Sequence, residues 1–121
     1  MIIIGENVLI EKSLLFALRI IGLNKYLVNE KHEYIISNQI TRSGTSIGAN
    51  INEANYGQSI ADFTFKMQIA LKETAETEYW IKLLFMSEYI DKAMFNSLNK
   101  DCLELKKLLI STVNTAKKNI D

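Results

Sequence analysis

Proline is absent from the 121 residues, while cysteine, histidine and tryptophan occur once each and glycine five times. Each scarcity closes a class of structure. The lone thiol, Cys102, can form no intramolecular disulfide, which removes the disulfide-stapled secreted folds and points to a reducing compartment. The longest apolar run, Leu14 to Leu18, falls far below the roughly 20 residues that cross a bilayer. Met1 to Ile4 has neither the basic leader nor the apolar length of a signal peptide. The expectation is a soluble, cytoplasmic chain with no membrane segment. With no proline and few glycines, little interrupts a helix, and no Asn-Gly or Asp-Gly pair sits between alternating apolar runs to start a hairpin.

Charge of one sign is missing too. Fourteen basic residues face fourteen acidic ones, which argues against a chain whose main task is to neutralise phosphates. What is present is apolar: 48% of residues, enough at this length for one domain, spanning 1–121, with a core of its own.

Polar punctuation divides that domain into four helical segments. The first covers about Ser13 to Val28, with Ser13 as N-cap, and carries two apolar stripes: Leu14, Leu18, Ile21, Val28 and Phe16, Ile20, Leu23, Leu27. A helix so broadly apolar needs more than one neighbour. Asn29 to Glu33 forms a turn, and a second helix runs from about Tyr34 to Tyr56, stopping at Gly57 in the left-handed position after the helix. Ser59 and Asp62 make a capping box for a third helix, about Ile60 to Glu88, and Asp91 caps a fourth that ends near Lys118. Short turns between long helices force antiparallel neighbours, so the expected fold is an all-α, antiparallel up-down-up-down four-helix bundle. Residues 1–10 fit no helix signal and form an N-terminal arm, either frayed or packed on another subunit.

The second helix holds the sharpest pattern. Ile36, Ile40, Ile47, Ile51 and Ala54 share one arc, and beside it Gln39, Ser43, Ser46, Asn50 and Glu53 recur at heptad spacing. Polar groups on a packed seam cost free energy unless each finds a partner. If the turn to the third helix is centred near Ser59, residue n stands opposite 118 − n, so Arg42 faces Glu76, Ser46 faces Lys72 and Asn50 faces Gln68. A polar network is therefore expected among Arg42, Ser43, Ser46, Asn50, Lys72, Glu73 and Glu76, with Glu53 and Trp80 on its margins. On the other flank Gly44 and Gly48 form a G-x-x-x-G that lets another helix approach closely.

RSGTSIGANINEA at 42–54 and DFTFKMQIALKETAETEYW at 62–80 together resemble the signature of a family of small bacterial four-helix bundles. That family is encoded by intervening sequences within 23S rRNA genes and is also labelled the S23 ribosomal protein family. The resemblance spans about residues 12–115. It implies a homo-oligomer, typically a five-fold ring of bundles around a channel, with no established enzymatic activity and no cofactor. A related set, the accessory proteins of diversity-generating retroelements, is strongly basic and binds nucleic acid beside a reverse transcriptase; this chain departs from it in its zero net charge.

Other chemistry finds little support. Di-iron bundles need two Glu-x-x-His pairs, whereas His32 is the only histidine and has no glutamate three residues before it. Glu73 and Glu76 form a single Glu-x-x-Glu pair, too little to assign a metal. Cys102 falls in an apolar stripe with Met94, Leu98, Leu105, Leu109 and Ala116, and belongs to the core. No enzyme is expected. The expected function is a self-assembling scaffold or adaptor whose partners are itself and other proteins. The alternative is a nucleic-acid-associated oligomer, linked to rRNA or a reverse transcriptase, in which Lys106, Lys107, Lys117 and Lys118 of each subunit gather into one basic rim.

Overall fold

Helices follow one another in the order α1 (Glu6–Asn29), α2 (Ile35–Ala54), α3 (Ile60–Met86) and α4 (Lys92–Lys117) in the computed structural model, which describes residues 6–120. Two boundaries match their sequence signals closely. Ser59 Oγ accepts the Asp62 N–H at 3.1 Å to open α3, and Asp91 Oδ1 accepts the Met94 N–H at 2.8 Å to open α4. None of the four is long and apolar enough to cross a membrane.

Three boundary expectations are corrected. The first helix begins at Glu6, because Leu9 is buried in the core and draws the preceding turns into the bundle. Residues 6–10 are therefore helical rather than an arm, while residues 1–5 lie outside the described residues. Ser13 is no cap: it is fully buried mid-helix, with its Oγ donating to Ile10 O at 3.1 Å. Gly57 does not adopt a left-handed conformation; its lack of a side chain answers crowding instead, since a Cβ there would stand 3.1 Å from Ala54 O and 3.2 Å from Phe63 N.

The start of α2 is built by a residue that the sequence pattern had left in a turn. Glu33 is buried, and its carboxylate accepts three otherwise free N–H groups: Ile35 at 3.1 Å, Ile36 at 3.0 Å and Ser37 at 2.7 Å. The Ser37 hydroxyl returns a bond to Glu33 O at 2.8 Å. His32 just before it, and Glu88 between α3 and α4, hold left-handed backbone at φ 53° and 67°.

Packing is cyclic. The backbones lie close between α1 and α2, α2 and α3, and α3 and α4, approach thinly between α1 and α4, and stay apart across the diagonals, where only core side chains reach. That is the up-down-up-down bundle. Phe16, Ile20 and Leu27 of α1 meet Ile40, Ile47 and Ile51 of α2, Phe63, Met67, Ile81 and Leu84 of α3, and Leu98, Cys102, Leu105 and Leu109 of α4 in one core. Of the two apolar stripes of α1, only the one bearing Phe16 and Ile20 is inside.

Candidate functional site

The seam between α2 and α3 gathers the polar residues. Arg42 lies between two carboxylates of α3: its guanidinium donates to Glu73 Oε2 at 3.1 Å and pairs closely with Glu76 Oε2. Glu76 Oε2 also accepts the Trp80 indole N–H at 3.0 Å. The indole bond and the guanidinium, outweighing partial burial, hold the Glu76 carboxyl below its ordinary value, and the Glu76 bond raises the Arg42 pKa. Of the three charged residues Glu73 is the least exposed, its side chain at 13%, whereas that of Arg42 is 52% exposed. The arrangement is a half-open clamp rather than a buried network.

Beneath it the register continues in hydroxyls. Thr77 Oγ1 lies 2.8 Å from Ser43 Oγ and 2.8 Å from Glu73 O, both side chains being buried. Arg42 opposite Glu76, Ser43 opposite Thr77 and Glu53 opposite Lys66, at 3.6 Å, place the turn where the hairpin arithmetic put it. The finer pairings differ. Ser46 donates to Arg42 O at 2.7 Å and Asn50 to Ser46 O at 2.8 Å, so both satisfy themselves on their own helix instead of on Lys72 and Gln68. Lys72 is exposed, its charge adding to the field that favours ionised Glu76. Thr77 is the member that sequence reasoning missed; a threonine one turn after Glu73, opposite Ser43, was the available signal.

On the other flank of α2 the two glycines meet α1. A Cβ on Gly44 would fall 2.8 Å from Ile20 Cγ1, and one on Gly48 would fall 3.2 Å from Ser13 Oγ. The close approach expected of this pair is thus made within the chain, and the stripe by itself implies no second copy.

Two outward faces carry apolar side chains without a neighbour. On α1, Val8, Leu14, Leu15, Leu18 and Ile21 are 40–59% exposed. On α3, Phe65, Tyr79 and Met86 are 60%, 57% and 72% exposed, with Tyr79 held edge-on against Trp80, ring centres 5.0 Å apart. Lys72 lies between Phe65 and Tyr79, one heptad from each. Because α1 and α3 are diagonal in the bundle, these faces look in opposite directions.

The rim lysines divide. Lys106 is bonded to Glu78 at 2.9 Å and half-buried, so it is not a free cation; Lys107, Lys117 and Lys118 are exposed. His32 is exposed and lies 3.4 Å from the Tyr34 hydroxyl. Cys102 is buried, with its thiol directed at Thr74 O, and burial pushes its pKa up to about 12. A thiol so held is a core group, not a nucleophile.

The four-helix fold agrees with what comparison finds. A family model described as "23S rRNA-intervening sequence protein" matches residues 6–111. The chain belongs to that family. A solved structure from Bacteroides thetaiotaomicron, a protein of unknown function from the S23 ribosomal protein family, shares 55% identity over 92% of this chain and 99% of its own, with a TM-score of 0.90. No curated protein matches. Arg42, Glu73, Glu76 and Trp80 thus stand in a member of the 23S rRNA-intervening sequence family, and the solved relative from Bacteroides thetaiotaomicron is itself of unknown function.

Proposed function

We propose that the chain is a non-enzymatic scaffold or adaptor that works as a homo-oligomer, a five-membered ring in a bacterial cytoplasm, and that presents bundle surfaces to other proteins. The observation that carries this reading is the apolar outer face of α1. Soluble monomers seldom leave a contiguous row such as Leu14, Leu18 and Ile21 to water, and covering it supplies the hydrophobic term of an interface. The α2–α3 clamp supports a structural role for the polar seam, since Arg42 is engaged by Glu73 and Glu76 of the same subunit and the contact fixes the register of the helices the faces are built on. Size-exclusion chromatography with light scattering tests the reading: a mass five times the 13.8 kDa of the chain is expected, and a monomer at high concentration would remove it.

A second reading, a nucleic-acid-associated oligomer, rests on the family description and on the exposed Lys107, Lys117 and Lys118. Against it stand the zero net charge and the engagement of Lys106 by Glu78. Filter binding with structured RNA and with DNA at low salt, where phosphate attraction is strongest, decides it; no retention there ends this alternative.

A further inference from the structure

Gly22 has no structural reason inside the subunit. It sits mid-helix on α1, where glycine is unfavourable, yet a Cβ at that position would meet no atom within 4 Å. It stands in this in contrast to Gly44 and Gly48, whose missing side chains admit α1. There the thin α1–α4 seam opens into a mostly apolar groove of about 300 Å³ lined by Gly22 itself with Arg19, Leu23, Tyr26, Met94 and Leu98. The exposed row Val8, Leu15 and Gly22 recurs every seven residues, so the outer face of α1 ends in a dent.

The opposite side of the molecule carries a knob of matching height. Across the bundle, Ser13 adjoins Gly48 and Ile20 adjoins Gly44, while Ser43 adjoins Thr77 and Arg42 adjoins Glu76. Chained together, these contacts set Gly22 level with Tyr79 and Val8 level with Phe65, to within about two residues, or ~3 Å. Since α1 and α3 run in the same direction, a copy rotated about an axis parallel to the bundle and set alongside keeps those levels. We propose that the outer face of α1 in one copy docks on the outer face of α3 in the next, with the Tyr79 ring seated on Gly22 and Phe65 against Val8.

This rests on the self-association proposed above and specifies its geometry. The two patches differ, so the contact is head-to-tail and propagates from copy to copy rather than ending at a two-fold pair; it closes into a ring where each copy is rotated from the last about the common axis. Tyr79 suits the part, being an exposed aromatic already oriented by Trp80 and therefore immobilised at little entropic cost. Glu11 lies about one turn below the level of Lys72, which places opposite charges beside the apolar row. Lys25 and Lys82 fall together at the upper end, where both long side chains extend to water.

The experiment uses two broken faces, Leu18→Glu on α1 and Tyr79→Glu on α3, both at exposed positions, with circular dichroism confirming that each subunit folds. In light scattering each variant alone runs as a monomer, and an equal mixture forms a one-to-one pair, because one variant keeps the intact α3 face and the other the intact α1 face. A third variant, Gly22→Leu, raises the subunit Tm and yet loses the assembled mass. If wild type itself is monomeric, self-association fails as a whole. If wild type assembles but Tyr79→Glu keeps its mass, or the mixture stays monomeric while Gly22→Leu assembles as wild type does, the pairing alone is overturned.

Discussion

The two flanks of α2 and the seam between α1 and α4 close the same bundle by opposite means. Helix α2 is gripped through its smallest residues: Gly44 and Gly48 lie against Ile20 and Ser13, and on the far side the Ser43 hydroxyl meets Thr77. Between α1 and α4 the backbones stand further apart, and long side chains span the gap: Arg19 to Asp101 at 2.7 Å, Arg19 to Ser97 Oγ at 2.9 Å, and Lys12 to Glu104. Close packing gains dispersion and excludes water, whereas exposed ion pairs contribute little net stability. Structural rigidity therefore sits around α2, and the opposite side is left open for an incoming surface.

The largest effect expected from breaking this contrast comes at Gly44. Valine there would drive a β-branched side chain into Ile20, whose Cγ1 already lies 2.8 Å from the site of a Cβ, and Gly44→Val is expected to lower unfolding stability by about 2–3 kcal/mol despite the gain in helix propensity. Gly48→Ala is tight against the Ser13 hydroxyl alone, at 3.2 Å, its other neighbours lying at ordinary contact distance, so its cost is nearly cancelled by propensity, with a net change below about 0.5 kcal/mol. Denaturant titration measures both. Equal effects at the two positions would show that α1 does not lie on α2 as described.

Periodicity carried most of the fold. Of the apolar arc, Ile40, Ile47, Ile51 and Ala54 are buried as their spacing requires and Ile36, in the first turn, is half-buried, while complementary charges on a tight hairpin were enough to pair Arg42 with Glu76. The failures have one physical source, competition from local bonds that a helical wheel does not display. Ser46 and Asn50 are short polar side chains that reach carbonyls three or four residues back, so chemical complementarity with Lys72 and Gln68 was never called on. Glu33 was hidden because it caps from one residue before the N-cap position, held by Tyr34, rather than from it. Likewise Ser13 carries a capping residue's signature but fills a place where α2 needs a small neighbour. For the candidate site, sequence located the clamp, whereas the unsupported Gly22 emerges only when neighbouring atoms are known.

A smaller effect separates the clamp from the rest of the α2 grip by its response to acid. Because Trp80 and Arg42 favour ionised Glu76, its folded pKa lies below the ordinary 4.5, and the stability it adds is present above that value and is lost as pH falls through the folded pKa. Wild type should exceed Glu76→Gln in stability by no more than about 1 kcal/mol at neutral pH, a difference that holds down to about pH 4.5 and vanishes below it. Thermal melts of the two proteins at matched pH follow the difference directly. A gap that persisted at pH 2 would mean that the clamp acts through packing rather than charge.

A comparably small effect is expected at the open seam, and its smallness is informative. A double-mutant cycle with Arg19→Ala and Asp101→Ala should give a coupling of about 0.5 kcal/mol, since both side chains are more than a third exposed. In 1 M salt, where screening acts over about 3 Å, that coupling should fall close to zero. A coupling above about 2 kcal/mol that resisted salt would mean that water is already excluded from the α1–α4 side, as it is around α2. The groove beside Gly22 would then be closed in the free subunit, and the division between a gripped half and an open half would not stand.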